Sequence, residues 1–282
     1  MGQWLDTPTT FLPPPPVGLS TSAKPRRRGR RILVAVGIVM LLLAAAAGAG
    51  YLVFSPQIGA LLAARAFCQE VETHQYTAAY SDFTPDLQQR VPRAAFVTIS
   101  TRGDALEGPV IGCSLSGVDV TSDRQNVVIN SVVTRSLQGQ THQDLDLTLL
   151  GGHWKIAQPP DPLLLPLTTA YLFCTDLEQQ NYTAAFGLLT IQTQAKVGNS
   201  LLFQGIFTAS HFVTGNLKDC QVASATFSAN QQQVLVASTL VFQHFPSLTS
   251  QVVLSQDTPG AWAVQRLALT VLGFSVDVPP GS

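Results

Sequence analysis

Side chains that could carry out catalysis or bind a metal are few and widely spaced in this sequence. Only 12% of its 282 residues are charged, roughly half the usual share. It contains no Gly-x-Ser-x-Gly elbow, no phosphate loop and no dinucleotide fingerprint. Five histidines show no spacing typical of metal ligands: His74, His142, His153, His211 and His244. The sequence therefore predicts no metal site, no cofactor and no catalytic residue.

The distribution of charge divides the chain into a basic tail and a weakly acidic remainder. Residues 1–31 carry six Lys/Arg and one Asp, whereas residues 32–282 carry ten Lys/Arg and sixteen Asp/Glu. Because a surface with so little positive charge is unsuited to a phosphate backbone, we expect no nucleic-acid partner. An apolar content of 46% also excludes a disordered polyampholyte.

A run of 23 residues without a charge, from Ile32 to Phe54, predicts a transmembrane helix. As a helix it would be about 34 Å long at ~1.5 Å per residue, which spans a hydrocarbon core of ~30 Å. By the positive-inside rule, the arginines before it keep residues 1–31 in the cytoplasm, and the C-terminal part is exported. These are Arg26, Arg27, Arg28, Arg30 and Arg31.

A cleaved signal peptide is the alternative to an uncleaved anchor. Residues 45–50 read AAAGAG, and signal peptidases accept small residues of this kind. The apolar run is longer than the roughly 7–15 residues of a signal peptide, however, and this length favours the anchor. Residues 1–23 are polar and include four consecutive prolines, which predicts a disordered, locally polyproline tail.

The part after the apolar run contains an internal duplication. Residues 68–80, CQEVETHQYTAAY, match residues 174–186, CTDLEQQNYTAAF, at an offset of 106. The next cysteines are offset by 107, and a later pair of tryptophans by 108. Ordered landmarks over ~90 residues indicate two homologous domains. We place them at residues 55–158 and 167–282, joined by a proline-rich linker at 159–166.

Four cysteines, two in each repeat, agree with export to an oxidising compartment. Four cysteines allow three pairings. The duplication favours Cys68–Cys113 and Cys174–Cys220, because each domain is then closed on itself. Each disulfide would join the first helix of a repeat to its first strand. Four free, buried thiols are the alternative.

Each repeat begins with a helical pattern and ends with a strand pattern. Apolar residues recur every three or four positions over residues 61–79 and 167–185, which indicates helices with one buried face. Thr84, before a proline, is typical of a helix N-cap, and a short third helix is predicted at residues 94–100. Residues 145–149 then alternate between apolar and polar. Helices that precede an antiparallel meander predict an α+β fold, with the helices on one face of a curved sheet.

The motif Phe-Cys-x-x-(Leu/Val)-x-x-x-x-Tyr-Thr-Ala-Ala-(Tyr/Phe) occurs at residues 67–80 and 173–186. Short helices, a cysteine-bearing strand and a terminal Gly-x-Trp-x-(Ile/Val) strand follow it. This order resembles the nuclear-transport-factor-2-like (cystatin-like α+β) superfamily over residues 57–157 and 163–272, in particular exported bacterial members that follow a membrane anchor. The resemblance implies two cone-shaped domains. It leaves the activity open, because the superfamily hosts isomerases, dehydratases, secretion scaffolds and binding modules.

An isomerase-like site in such a cone would need a carboxylate base and an acid. The first repeat has four candidates in the corresponding region: Tyr76, Tyr80, Asp82 and Asp104. No motif of the superfamily maps onto them. We therefore interpret Tyr76 and its counterpart Tyr182 as structural residues with a hydrogen-bonded hydroxyl. Trp154 and Trp262, near the ends of the two repeats, are interpreted as structural residues whose side chains fill the core between the sheet and the helices.

These observations are most typical of a single-pass membrane protein with two non-enzymatic binding modules outside the cell. Membrane lipid would surround residues 32–54. The modules would bind an extracytoplasmic protein or a small apolar ligand. One alternative is a structural subunit of an envelope or secretion assembly that works by self-association. The other is an enzyme that uses one cone pocket.

Overall fold

The structure, a computed structural model, describes residues 40–41, 57–244, 247–258, 260–271 and 274–277. No helix within these ranges is long and apolar enough to cross a membrane. The predicted span at residues 32–54, except residues 40 and 41, lies outside the described residues, as do the five arginines before it.

The first repeat consists of helices followed by a four-stranded antiparallel sheet of order β1-β2-β3-β4. The helices are α1 (57–72), α2 (Tyr76–Ser81), α3 (Pro85–Arg90) and α4 (Arg93–Glu107). The strands are β1 (Val110–Val120), β2 (Asn126–Arg135), β3 (Gly139–Leu150) and β4 (His153–Ile156).

The second repeat has the same order of elements, and its sheet of order β5-β6-β7-β8-β9 has one strand more. Its helices are α5 (Leu164–Glu178), α6 (Tyr182–Gly187), α7 (Ile191–Val197) and α8 (Ser200–Thr214). Its strands are β5 (Leu217–Phe227), β6 (Gln233–Phe242), β7 (Leu248–Thr258), β8 (Ala261–Val271) and β9 (Phe274–Asp277). The α+β prediction, with helices before an antiparallel sheet, is confirmed.

Local signals in the sequence set where the short helices begin. Thr84 caps α3, because its hydroxyl oxygen accepts a hydrogen bond from the Leu87 amide at 3.3 Å. Thr190 caps α7 in the same way, and its hydroxyl accepts from the Thr193 amide at 3.2 Å. The duplication therefore extends to the caps. The third helix is longer than the predicted residues 94–100, since α4 continues to Glu107.

The first strand of each sheet lies at an edge and is irregular. In β1 the pairing with β2 shifts between Ser116 and Val118, and Gly117 there has φ of +68°. In β5 the equivalent shift falls between Val222 and Ser224. A bulge of this kind bends a strand and increases its twist.

Two hydrophobic clusters form the core, one for each repeat. The two repeats nevertheless pack into one compact unit. Leu164, in the first turn of α5, is only 4% exposed and belongs to the cluster of the first repeat. Helix α5 thus begins inside the predicted linker at 159–166, and its start completes the core of the preceding repeat.

Two contacts join the first helix of each repeat to its edge strand. The structure brings the cysteines together as the duplication favours, with Cα atoms 5.5 Å apart for Cys68–Cys113 and 5.4 Å apart for Cys174–Cys220. A glutamate four residues after the helical cysteine adds the second contact. Glu72 accepts a hydrogen bond from the Cys113 amide, and Glu178 accepts one from the Cys220 amide. An edge strand leaves backbone amide and carbonyl groups without a partner in the sheet, and this carboxylate satisfies one such amide.

We predict that removal of one disulfide, in the double variant C68A/C113A, lowers the free energy of unfolding by about 4 kcal/mol, from the chain-entropy cost of a loop of about 45 residues. Urea unfolding of the full-length protein, followed by circular dichroism, measures this difference. The Cys174–Cys220 disulfide closes a loop of nearly the same length, so C174A/C220A should lower the free energy of unfolding by a similar amount. If the wild type unfolds at the same urea concentration with and without reductant, the prediction is wrong.

Candidate ligand-binding cavity

A cavity of about 370 Å³ lies where the first repeat meets the second. The first repeat contributes α1, α4 and the inner face of its sheet, and the second repeat contributes α5 and β5. Its wall is largely aliphatic and aromatic, including Phe67, Phe96, Ile99, Leu145, Leu167 and Val222. The volume is within the range of small-molecule sites, roughly 300–1,000 Å³.

The corresponding cavity among the described residues of the second repeat has a volume of about 20 Å³, which is about the room that one water molecule needs. Aromatic side chains account for the difference. Phe207 on α8 takes the position that Ser100 has on α4, at the offset of 107, and Phe242 takes the position of Arg135. Phe207 packs against Phe203 with ring centroids 4.9 Å apart. Small and polar residues therefore leave the first repeat open, while aromatic residues fill the second.

Both arginines in the cavity wall are engaged by protein groups. The Arg102 guanidinium on α4 donates to the Val222 carbonyl of the second repeat at 2.6 Å. Arg135, at the end of β2, contacts Asp104 at 3.1 Å and Glu107 at 3.3 Å. It also donates to the Gly108 carbonyl at 3.0 Å. Two carboxylates therefore balance the charge of Arg135, whereas Arg102 has a neutral carbonyl as its hydrogen-bond partner and acts on Glu178 only through its charge.

Burial raises the pKa of three carboxyl groups in the wall. Burial raises the pKa of Asp161, although a hydrogen bond from the Leu163 amide and the charge of Arg135 oppose the shift. Burial also raises the pKa of Glu107, and the nearby Asp161 adds to the effect. Burial also raises the pKa of Glu178, although a hydrogen bond from the Cys220 amide opposes the shift. Burial therefore makes the charged form of each of these three carboxyl groups less favourable than it is in water.

The structure brings two of the four acid–base candidates together at the cavity. The hydroxyl of Tyr76, which is buried, donates to Asp104, and His74 lies 3.0 Å from the same carboxylate oxygen. Arg135 holds the other oxygen. Burial, together with Asp104, raises the pKa of Tyr76. Since both oxygens of Asp104 have protein partners, this carboxylate is occupied as a structural acceptor.

The other two candidates lie away from the cavity wall. The Tyr80 hydroxyl donates to the Gln88 carbonyl at 3.1 Å, and the guanidinium of Arg93 lies over its ring. Asp82 is 3.6 Å from the Lys155 ammonium. Burial raises the pKa of Asp82, and Lys155 opposes the shift. These contacts support packing and surface roles.

The aromatic residues singled out from the sequence all contact the cores. Tyr182 is buried, and its ring stacks on Phe207 with centroids 5.8 Å apart. Trp154 packs against the first core beside Gly59 of α1, where an added Cβ would lie 2.9 Å from the indole nitrogen. Trp262 packs against the second core and Phe227. Within the described residues, no three histidine, cysteine or acidic side chains form a group that could hold a metal ion.

Sequence reasoning missed the residues that matter most to the cavity: Ser100, Arg102, Asp161 and Glu178. One signal was available, because Glu72 and Glu178 occupy the same place in the two aligned segments. No comparable signal exists for Asp161, which lies among the linker prolines. Comparison of the chain with protein-family profiles, curated proteins and solved structures gave no match.

We predict that the protein is more stable at mildly acidic pH than at neutral pH. A carboxyl whose pKa is raised on folding contributes stability that is complete below its unfolded value, 3.8 for Asp161, and that is lost as the pH rises through the raised pKa. Urea midpoints at about pH 5 and about pH 8 test this. Asp161→Asn keeps a hydrogen-bond acceptor for the Leu163 amide but removes the ionisable group. It should therefore reduce the difference between the urea midpoints at the two pH values. An unchanged difference in this variant would contradict the assignment to Asp161.

Proposed function

We propose that this chain is a single-pass membrane protein whose two extracytoplasmic modules jointly bind a small, neutral, largely apolar molecule. The cavity of about 370 Å³ between the repeats carries the proposal. Residues 32–54 would lie in membrane lipid and residues 1–31 in the cytoplasm. The role is binding, with no catalytic residue.

The cysteine pairs support the proposed location outside the cytoplasm. Both cysteine pairs are within disulfide distance, and disulfides persist in oxidising compartments.

The low density of charge in the described repeats fits a module that recognises ligands by apolar contact. The likeness to nuclear-transport-factor-2-like domains is also part of the proposal. Its support is the order of helices before a bulged antiparallel sheet and the pocket between them.

The chemistry of the wall supports a neutral ligand. Arg135 is already paired with Asp104 and Glu107, so an anion that bound to it would have to displace these ion pairs. Asp161 and Glu178 line the cavity, and their carboxyl oxygens can accept a hydrogen bond from a ligand hydroxyl. Most of the remaining wall is apolar, and burial of apolar ligand surface contributes roughly 25 cal/mol per Å².

A binding role fits the Tyr76–Asp104 pair better than an isomerase does. A catalytic base must have a free oxygen within reach of a substrate proton. Asp104 instead holds Tyr76 and His74 on one oxygen and Arg135 on the other. Asp104 therefore braces α4 against α2 and against the end of β2, beside the cavity.

The ligand-binding proposal predicts that Ser100→Phe abolishes binding of a neutral apolar probe. The substitution places in the first repeat the aromatic ring that fills the second. N-phenyl-1-naphthylamine is a suitable probe, and its fluorescence is measured with full-length protein in lipid nanodiscs against empty nanodiscs of equal lipid content. The wild type should show saturable excess fluorescence, and the variant should bind the probe at least about tenfold more weakly.

Thr101→Phe is the matched control, because Thr101 is the adjacent, exposed residue of α4. It should bind the probe as the wild type does and report any general effect of an added phenylalanine. Equal binding by the wild type and Ser100→Phe would overturn the proposed site. Absence of saturable excess fluorescence in the wild type would do the same.

The topology predicts that protease added outside intact cells removes the part of the chain after residue 54 and leaves an N-terminal fragment in the membrane. Positive charge before the span prevents the reverse orientation. Immunoblotting with an antibody against residues 1–23 detects the fragment. A mature N-terminus near residue 48 or 51 in Edman sequencing would show a cleaved signal peptide, and full protection of the chain would place the repeats inside.

A further inference from the structure

The two repeats contact each other through different surfaces, in a head-to-tail manner. Helix α4 of the first repeat packs against α5 and β5 of the second. Arg102 on α4 donates to the Val222 carbonyl on β5. Leu164 on α5 is buried in the core of the first repeat. The first repeat therefore presents one surface, and the second repeat presents another that receives it.

Because the repeats share one fold, each of these surfaces occurs twice in the chain. Helix α8 is the counterpart of α4, at an offset of 107, and α1 is the counterpart of α5, at an offset of 106. In the described structure, the contact between α4 and α5 joins only one pair of these surfaces. The corresponding surfaces of α8 and α1 take no part in this contact.

Both remaining surfaces expose large apolar side chains. We define the α8 face as Leu201, Leu202 and Ile206, which are 75%, 58% and 52% exposed. We define the α1 face as Ile58, Leu61 and Leu62, which are 54%, 40% and 63% exposed. Exposed clusters of this kind mark interaction sites more often than single exposed residues do.

One residue of each face has a counterpart at the existing contact between the repeats. Ile58 is equivalent to Leu164, whose exposure is only 4% because it lies in the core of the first repeat. Ile206 is equivalent to Ile99, which is partly buried and lines the cavity between the repeats. Ala209 replaces Arg102, so the α8 face lacks the polar contact and is more apolar than its counterpart.

We propose that the α8 face of one copy of this chain docks on the α1 face of a second copy, in the way that α4 docks on α5 within the chain. Both sides of such a contact are present in the same molecule, and the arrangement of the two helices is already realised once. Contacts of this heterologous type join copies into rings or open chains. Helix α8 carries no Lys, Arg, Asp or Glu, so no charge opposes its burial.

Complementation between two variants tests this contact. Ile206→Glu disables the α8 face and leaves the α1 face intact, and Ile58→Glu does the reverse. The protein mass of full-length protein in detergent micelles, measured by light scattering over a range of concentrations, reports association. The wild type should form concentration-dependent oligomers. Each variant alone should associate at least about tenfold more weakly, because a buried, unpaired carboxylate is costly.

An equal mixture of the two variants should regain association but stop at pairs, since only one intact α8 face and one intact α1 face remain in each pair. This recovery also shows that both variants are folded. Leu137→Glu is the control, because Leu137 is 74% exposed in the turn between β2 and β3, away from both faces. It should associate as the wild type does.

A cross-linking experiment separates this contact from association through residues 32–54. One copy carries Ile58→Cys and the other carries Ile206→Cys, and a short bismaleimide should join them only in the mixture. A wild type that stays monomeric at every concentration would overturn the proposal. Loss of association in only one of the two glutamate variants would overturn it as well and would assign the sensitive face to another occupant, such as lipid. A mixture that fails to pair, or cross-links between identical copies, would indicate a symmetric contact instead.

Discussion

In each repeat, the first helix is held against the edge strand of the sheet by two adjacent contacts. The disulfide joins a cysteine of the helix to a cysteine of the strand, and the glutamate four residues later accepts the amide of that same strand cysteine. The covalent bond limits how far the helix can move, and the carboxylate satisfies a backbone group that the sheet leaves unpaired. Helix α5 and strand β5 consequently behave as one surface. The cavity depends on this constraint, because that surface closes the open end of the first repeat.

The two repeats show how one fold can be open in one copy and filled in the other. The order of the four helices and first four strands, the threonine caps of α3 and α7 and the disulfides are the same, so the difference must come from side chains that face the interior. Ser100 leaves space where Phe207 occupies it. Arg135 forms ion pairs at the position where the second repeat has the apolar side chain of Phe242. One repeat has kept a closely packed interior, and the other exchanges packing for a cavity with polar groups in its wall.

Low charge density makes each buried ionisable group matter more. The carboxyl groups of Asp161, Glu107 and Glu178 are partly buried in the wall, near guanidinium groups that have other partners. Burial therefore outweighs attraction, and the pKa values of Asp161, Glu107 and Glu178 rise. The same scarcity of charge leaves the outer faces of α1 and α8 apolar. The largely apolar cavity wall and the apolar outer faces thus have a common origin in the composition.

Much of the architecture follows from the sequence alone. The period of the apolar residues predicts helices followed by strands, the aligned cysteines favour the pairs that the structure brings together, and Thr84 marks the start of a helix. These features are local or repeat at a fixed offset, so a single chain is enough to read them. The cavity is different, because its wall joins Ser100, Asp161 and Val222, which lie far apart in the chain. Only the packing of α4 on α5 and β5 places them together, since no local preference records which surface of one repeat meets the next.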